Sequence, residues 1–307
     1  MTTSSPSRFD VYEAITNQII AAIETGSGKV QMPWHRSGAS ITRPVNVASR
    51  NAYRGVNTVA LWAAADAFGF PHGLWGTYRQ WQDRGAQVRK GEKSSLIIFY
   101  KQFDTDDQAE QSDSDQSKDD RRFIARASRV FNIAQVDGYV LSEPDISTDR
   151  IDPILAAESF IAGTGANITV GGERAYYNIK SDSITMPDRC RFIGTKTGTA
   201  TEGWYSTLLH ELVHYSGAEH RLNRTFGERF GDDAYAMEEM TAELGAAFLC
   251  GDLGITAEPR SDHADYIGHW LRILKGDRKA IFTAASAANK ASEYLANLSN
   301  HERREAA

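Results

Sequence analysis

Two cysteines in 307 residues, Cys190 and Cys250, are too few for a disulfide framework, and neither sits in a C-x-x-C pair. That excludes a small disulfide-stapled fold and points to a reducing compartment, the cytoplasm. No apolar run approaches the roughly 20 residues that a membrane-spanning helix needs. The longest, such as LIIFY at 96–100, have strand length. MTTSSPSRFD at the N-terminus has no basic stretch leading into an apolar core, so it does not read as a secretory signal. Proline is sparse at 8 residues and glycine stands at 25, beside 41% hydrophobic and 24% charged residues. This balance excludes collagenous, coiled-coil and wholly disordered chains. A soluble globular protein with room for two domains is expected.

The net charge of −6 is unevenly spread. Between Arg43 and Lys101 nine Lys/Arg face three acids, a local excess of +6. Between Asp104 and Asp120 eight acids and one lysine give −7. The first segment suits a polyanion; the second reads as a solvated, disordered loop.

Val11, Ile15, Ile19, Ile20 and Ile23 have helical spacing, and VNTVALWAAADAFGF at 56–70 reads as a second helix. SSLIIFYKQF and RRFIARASRVFNIAQV are β-rich runs flanking the acidic segment, which makes them the arms of one hairpin. The Pro/Asp/Ser-containing stretch at 141–153 is the expected linker. Beyond it come a helix, three short strands and a succession of long helices. The expected fold class is α+β in two domains. Residues 1–140 form the first, with the acidic loop at 104–120, and residues 154–307 form a mostly helical domain with a small sheet.

HELVH at 210–214 is H-E-x-x-H. On a helix, His210 and His214 lie one turn apart on one face, so both imidazoles can reach one ion. Glu211 stands beside them, placed to take a proton from water activated by that ion. The third ligand has two candidates. Glu239, in EEMTAEL, shares a helix face with Glu243, which would accept a hydrogen bond from a ligating histidine. His220 completes H-E-x-x-H-x-x-G-x-x-H, but it falls in a polar turn, and no separate Met-turn loop follows. Helix placement favours Glu239. Such a site takes one Zn²⁺ per chain, or another divalent ion such as Mn²⁺, and supports amide hydrolysis. Tyr235 and His220 are candidates for stabilising an oxyanion, and both cysteines read as core residues.

Four of the six tryptophans lie in the first 81 residues, interleaved with the basic residues. Aromatic faces stack on unpaired bases while Lys and Arg track phosphates, the combination expected of a single-stranded-DNA binder. Candidate contacts are Arg43, Asn51, Tyr53, Arg54, Asn57, Trp75, Tyr78, Arg79, Trp81, Lys90 and Lys93.

RPVNVASRNAYRGVNTVALW at 43–62, LWGTYRQWQDRGAQVRKGEKS at 74–94, HELVHYSG, RLNR at 221–224 and AYAMEEMTAELGAAFL at 234–249 resemble the ArdC family of plasmid antirestriction proteins. The resemblance extends from about Phe9 to the C-terminal helix. It implies an N-terminal single-stranded-DNA-binding domain joined to a zincin-like metallopeptidase domain. It also implies protection, in the recipient cell, of DNA entering by conjugation from restriction endonucleases. By position it puts metal ligation on His210, His214 and Glu239, with Glu211 as general base. Two other readings remain at this level: a metallopeptidase whose N-terminal domain recognises protein, and a DNA-coating protein with a structural metal.

Overall fold

The computed structural model describes residues 10–26, 42–102, 123–140, 153–194, 198–227, 233–256 and 263–305. The acidic segment 104–120 and all but the last residue of the 141–153 stretch lie outside the described residues.

Helix α1 (Val11–Gly26) opens under Asp10, whose Oδ1 accepts from the backbone N–H groups of Tyr12 and Glu13. Ile15, Ile19 and Ile23 recur one turn apart and are fully buried. After β1 (Val45–Asn46), α2 (Val56–Phe68) is buried along most of its length. It ends at Gly69, whose φ of 67° is the left-handed stop that glycine adopts without strain. Strand β2 (Leu74–Gly76) leads into α3 (Tyr78–Gln82), which Thr77 and Gln80 start with a reciprocal capping box. Then follow β3 (Gln87–Val88), β4 (Ser95–Gln102), β5 (Phe123–Asn132) and β6 (Val136–Asp137).

Strands β4 and β5 pair antiparallel from Ser95↔Val130 to Gln102↔Phe123, the expected hairpin. The sheet order is β1-β2-β5-β4, with β1 and β2 parallel, and β3 pairs with β6 in a separate ribbon. Gly76 is needed where it stands: a Cβ there would lie 2.5 Å from Val47 Cγ1 and 3.1 Å from the Trp81 indole nitrogen.

The second half begins with α4 (Pro153–Ala162). A three-stranded sheet of β7 (Asn167–Val170), β8 (Tyr176–Asn178) and β9 (Ser183–Met186) follows, in the order β7-β9-β8. Four helices complete the chain: α5 (Ala200–Ser216), α6 (Asp233–Leu253), α7 (His263–Gly276) and α8 (Ala280–Glu305). The fold is α+β.

The two halves share one apolar cluster. Ile15, Ile19 and Ile23 of α1 and Val59 and Trp62 of α2 pack in the same core as Leu209, Met240, Phe248 and Ile281. Arg43 crosses between the halves. It donates to the Phe248 carbonyl, pairs with Asp252 at 2.8 Å and lies 4.7 Å from the Phe248 ring centroid. Among the described residues no helix is long and apolar enough to cross a membrane.

Candidate metal centre and nucleic-acid face

Thr199 and Glu202 fix the start of α5 by another capping box, and from Leu208 to Ser216 the helix is buried. Its 210–214 face looks onto α6. Gly245 sets that approach: a Cβ there would lie 2.7 Å from Val213 Cγ2, so a larger residue would push the helices apart. The close crossing brings the α6 carboxylates to the α5 histidines.

His210 Nε2 and His214 Nε2 lie 3.1 Å apart. Glu239 Oε2 is 3.5 Å from the first and Oε1 is 3.6 Å from the second. One ligand atom from each of the three residues falls within 4.8 Å of the others, and all three side chains are buried. The outer ring nitrogens face carboxylates. His214 Nδ1 is 3.1 Å from Glu238 Oε1, and His210 Nδ1 is 2.9 Å from Glu243 Oε1. Carboxylates at Nδ1 draw the ring protons there, so both Nε2 lone pairs converge. Two facing lone pairs repel unless a cation lies between them. Around a tetrahedral Zn²⁺ with Zn–N of about 2.05 Å, ligand atoms stand ~3.3 Å apart, close to the spacings seen. The donor set fits a divalent ion.

Glu238 is braced in turn. Arg224 donates to both its carboxylate oxygens, from Nη2 at 2.8 Å and from Nε at 3.0 Å. It also reaches the Val213 carbonyl and Ser216 Oγ, at 2.6 and 2.9 Å. Burial alone would raise the Glu238 pKa; the bonds from His214 and Arg224 outweigh it and hold the carboxyl below its usual range. From the sequence alone, neither Glu238 nor Arg224 takes a role at the site. The one hint was RLNR, a basic run close behind the histidines.

Glu211 is buried, with 3% of its surface exposed. His220 is exposed and lies 3.4 Å from Asp182 Oδ2, outside the three-residue group. Asp182 also receives both Arg221 terminal nitrogens, at 2.8 and 2.6 Å, and the Tyr177 hydroxyl at 2.8 Å. The Arg221 bonds hold the Asp182 carboxyl down at about 2. Tyr235 is half-buried against the core. Cys250 is buried, and burial pushes its thiol up to about 12. Cys190 departs from expectation: it is exposed, because the turn at Arg189–Arg191 lies on the surface.

The expected DNA contacts divide. Asn51, Arg54, Tyr78, Arg79, Lys90 and Lys93 are exposed. Trp75 and Trp81 are fully buried and Tyr53 is 7% exposed, so none of them offers a ring face to a base. They fill two small cores on opposite faces of the four-stranded sheet, Trp81 in one and Tyr53 and Trp75 in the other, and Trp81 Nε1 donates to the Phe131 carbonyl. Arg43 is spent on Asp252 and Phe248. Asn57 ties α2 to β4, donating to and accepting from the Ile98 backbone at 2.8 Å.

Residues 9–131 match the family described as the N-terminal domain of anti-restriction factor ArdC, and residues 155–287 match a zincin-like metallopeptidase family. The antirestriction ArdC protein from plasmid R388, solved metal-free, superposes with a TM-score of 0.75 at 36% identity, covering 95% of this chain and 99% of that one. The chain belongs to the ArdC antirestriction family. The Mn(II)-bound structure of the same ArdC protein gives a TM-score of 0.73 at 35% identity, covering 95% of this chain and 98% of that one. An uncharacterized protein, y4eC, of Sinorhizobium fredii is 49% identical over 93% of this chain and 91% of its own length. The DNA primase TraC of Escherichia coli is 32% identical over 92% of this chain, which spans only 27% of that larger protein.

Proposed function

We propose that this ArdC-family protein binds single-stranded DNA and shields incoming conjugative plasmid DNA from restriction endonucleases in the cytoplasm of the recipient cell. Its N-terminal half carries the DNA contacts, among them Asn51, Arg54, Tyr78, Arg79, Lys90 and Lys93. Its C-terminal half is a peptidase-type centre in which His210, His214 and Glu239 hold one divalent ion, Zn²⁺ or Mn²⁺. The observation that carries the metal centre is the convergence of both Nε2 atoms and the Glu239 carboxylate. The DNA reading is supported by the exposed cations of the N-terminal half and by relatives that include an antirestriction protein and a DNA primase.

A bound ion would supply Lewis acidity that polarises a carbonyl and acidifies water. Glu211, next to His210 and buried, takes and returns the proton, while Glu243 and Glu238 keep the imidazoles aimed. Occupying a strand needs only the basic face, whereas hydrolysis needs Glu211, so the two activities are separable. Glu211→Ala is expected to abolish proteolysis yet retain single-strand binding and most protection in a restriction-protection assay. Replacing Arg54, Lys90 and Lys93 together with Ala is expected to do the opposite. A folded, DNA-binding Glu211→Ala protein that gives no protection would establish instead that proteolysis protects the DNA.

A further inference from the structure

With the tryptophans buried, the aromatic surface for a base must come from elsewhere. A cleft of about 600 Å³ opens between the start of α3, the β3–β6 ribbon and the end of β5. That volume lies within the about 300–1,000 Å³ of small-molecule pockets. Tyr78 forms one wall, with 44% of its surface exposed, and half-buried Phe131 lines the cleft with it. Tyr78 is not a loose surface ring. The capping box fixes the α3 start, and Gln87 Nε2 donates to the Tyr78 hydroxyl at 2.8 Å.

The charges of the cleft sort into two zones. Arg89 lies within it, but Glu92 at 2.9 Å and Asp137 at 3.3 Å neutralise it, and it also donates to the Ala134 carbonyl. Counting Lys90, which also lines the cleft, two cations balance two carboxylates, so the lining as a whole is neutral. Lys90 on the wall and Arg79 and Lys93 nearby in the chain are exposed, and no ion pair engages them among the described residues. A neutral, aromatic-walled cleft, with Lys90 on its wall and two more exposed cations close by in the chain, matches one unpaired nucleotide: a π-face with hydrogen-bonding edges, flanked by phosphates. Duplex DNA cannot present that face, because its bases are stacked. An acidic peptide would engage the cations and leave the aromatic wall unused.

We propose that this cleft receives an unpaired base, stacked on Tyr78 and met by Gln87 Oε1, with Lys90, Lys93 and Arg79 on the flanking phosphates. The inference rests on the single-strand reading above and assigns its base-binding position. Stacking without a set pattern of donors and acceptors predicts weak sequence dependence.

The test uses the full chain and fluorescein-labelled oligothymidylate, followed by anisotropy across a salt series. Tyr78→Ala is expected to weaken binding about tenfold or more without changing the salt slope, and Tyr78→Phe to bind within about twofold of wild type. Lys90→Ala with Lys93→Ala is expected to lower the slope by about 1.4, near 0.7 for each phosphate that is no longer neutralised. If Tyr78→Ala binds like wild type while the lysine variant weakens, the cleft is not a base site and the DNA reading stands. If Tyr78→Phe loses as much as Tyr78→Ala, the hydroxyl rather than stacking matters and the proposal is overturned. If wild type itself fails to bind oligothymidylate, both the cleft and the single-strand reading fall.

Discussion

Glu238 Oε1 sits between His214 Nδ1, 3.1 Å away, and Arg224 Nη2, 2.8 Å away. The same Arg224 nitrogen reaches the Val213 carbonyl, one residue before the histidine. One guanidinium thus braces both the backbone that carries His214 and the carboxylate that orients its ring.

Arg224→Ala is expected to weaken divalent-metal affinity about 10- to 100-fold, read by competition with a chromogenic chelator. Arg224→Lys should recover little, because an ammonium cannot grip both carboxylate oxygens and the Val213 carbonyl together. Full recovery with lysine would show that charge alone suffices.

Elemental analysis of purified protein is expected to give about one divalent ion per chain. Glu239→Ala should lose most of it, while His220→Ala, altering an exposed side chain paired with Asp182, should keep it. The reverse pattern would move the third ligand to His220.

Gly245→Ala places a methyl 2.7 Å from Val213 Cγ2, where α5 and α6 meet and Val213 is fully buried. Overpacking there is expected to cost about 1–3 kcal/mol of stability by denaturant melt. Because the crossing carries Glu239 and Glu243 to His210, metal affinity should fall as well. A stability loss with unchanged affinity would show that the centre tolerates wider helix spacing.

Asp182 ties β9's leading turn to Arg221, and its depressed pKa makes the tie pH-dependent. A carboxylate with a lowered folded pKa stabilises fully above its ordinary pKa, and that contribution fades as pH falls toward about 2. Asp182→Asn is expected to destabilise the fold by about 0.5–1 kcal/mol at neutral pH, the scale of an ion pair whose carboxylate is partly exposed and screened by solvent. The gap to wild type in thermal melts should narrow between pH 4 and 2. A gap independent of pH would assign the effect to altered packing.

Spacing along the chain made several features legible from the sequence alone. His210 and His214 share a face because one helical turn separates them, and Ile15, Ile19 and Ile23 mark a buried stripe for the same reason. The β4–β5 hairpin followed from two β-rich runs around a polar insertion. Such features depend on one element or on near neighbours, where backbone geometry fixes which residues meet. Four outcomes depended on packing between distant elements. Glu239 rather than His220 meets the histidines because Gly245 lets α6 close on α5. Glu238 on α6 and Arg224, from the connection between α5 and α6, join the site together. Trp75 and Trp81 turned inward because their rings bury more apolar surface in the two small cores than they could at the surface, leaving Tyr78 outside. Arg43 left the basic face for a buried partner across the shared core. Residue type and local order state what each side chain can do; only the assembled core decides which of them face a ligand and which face one another.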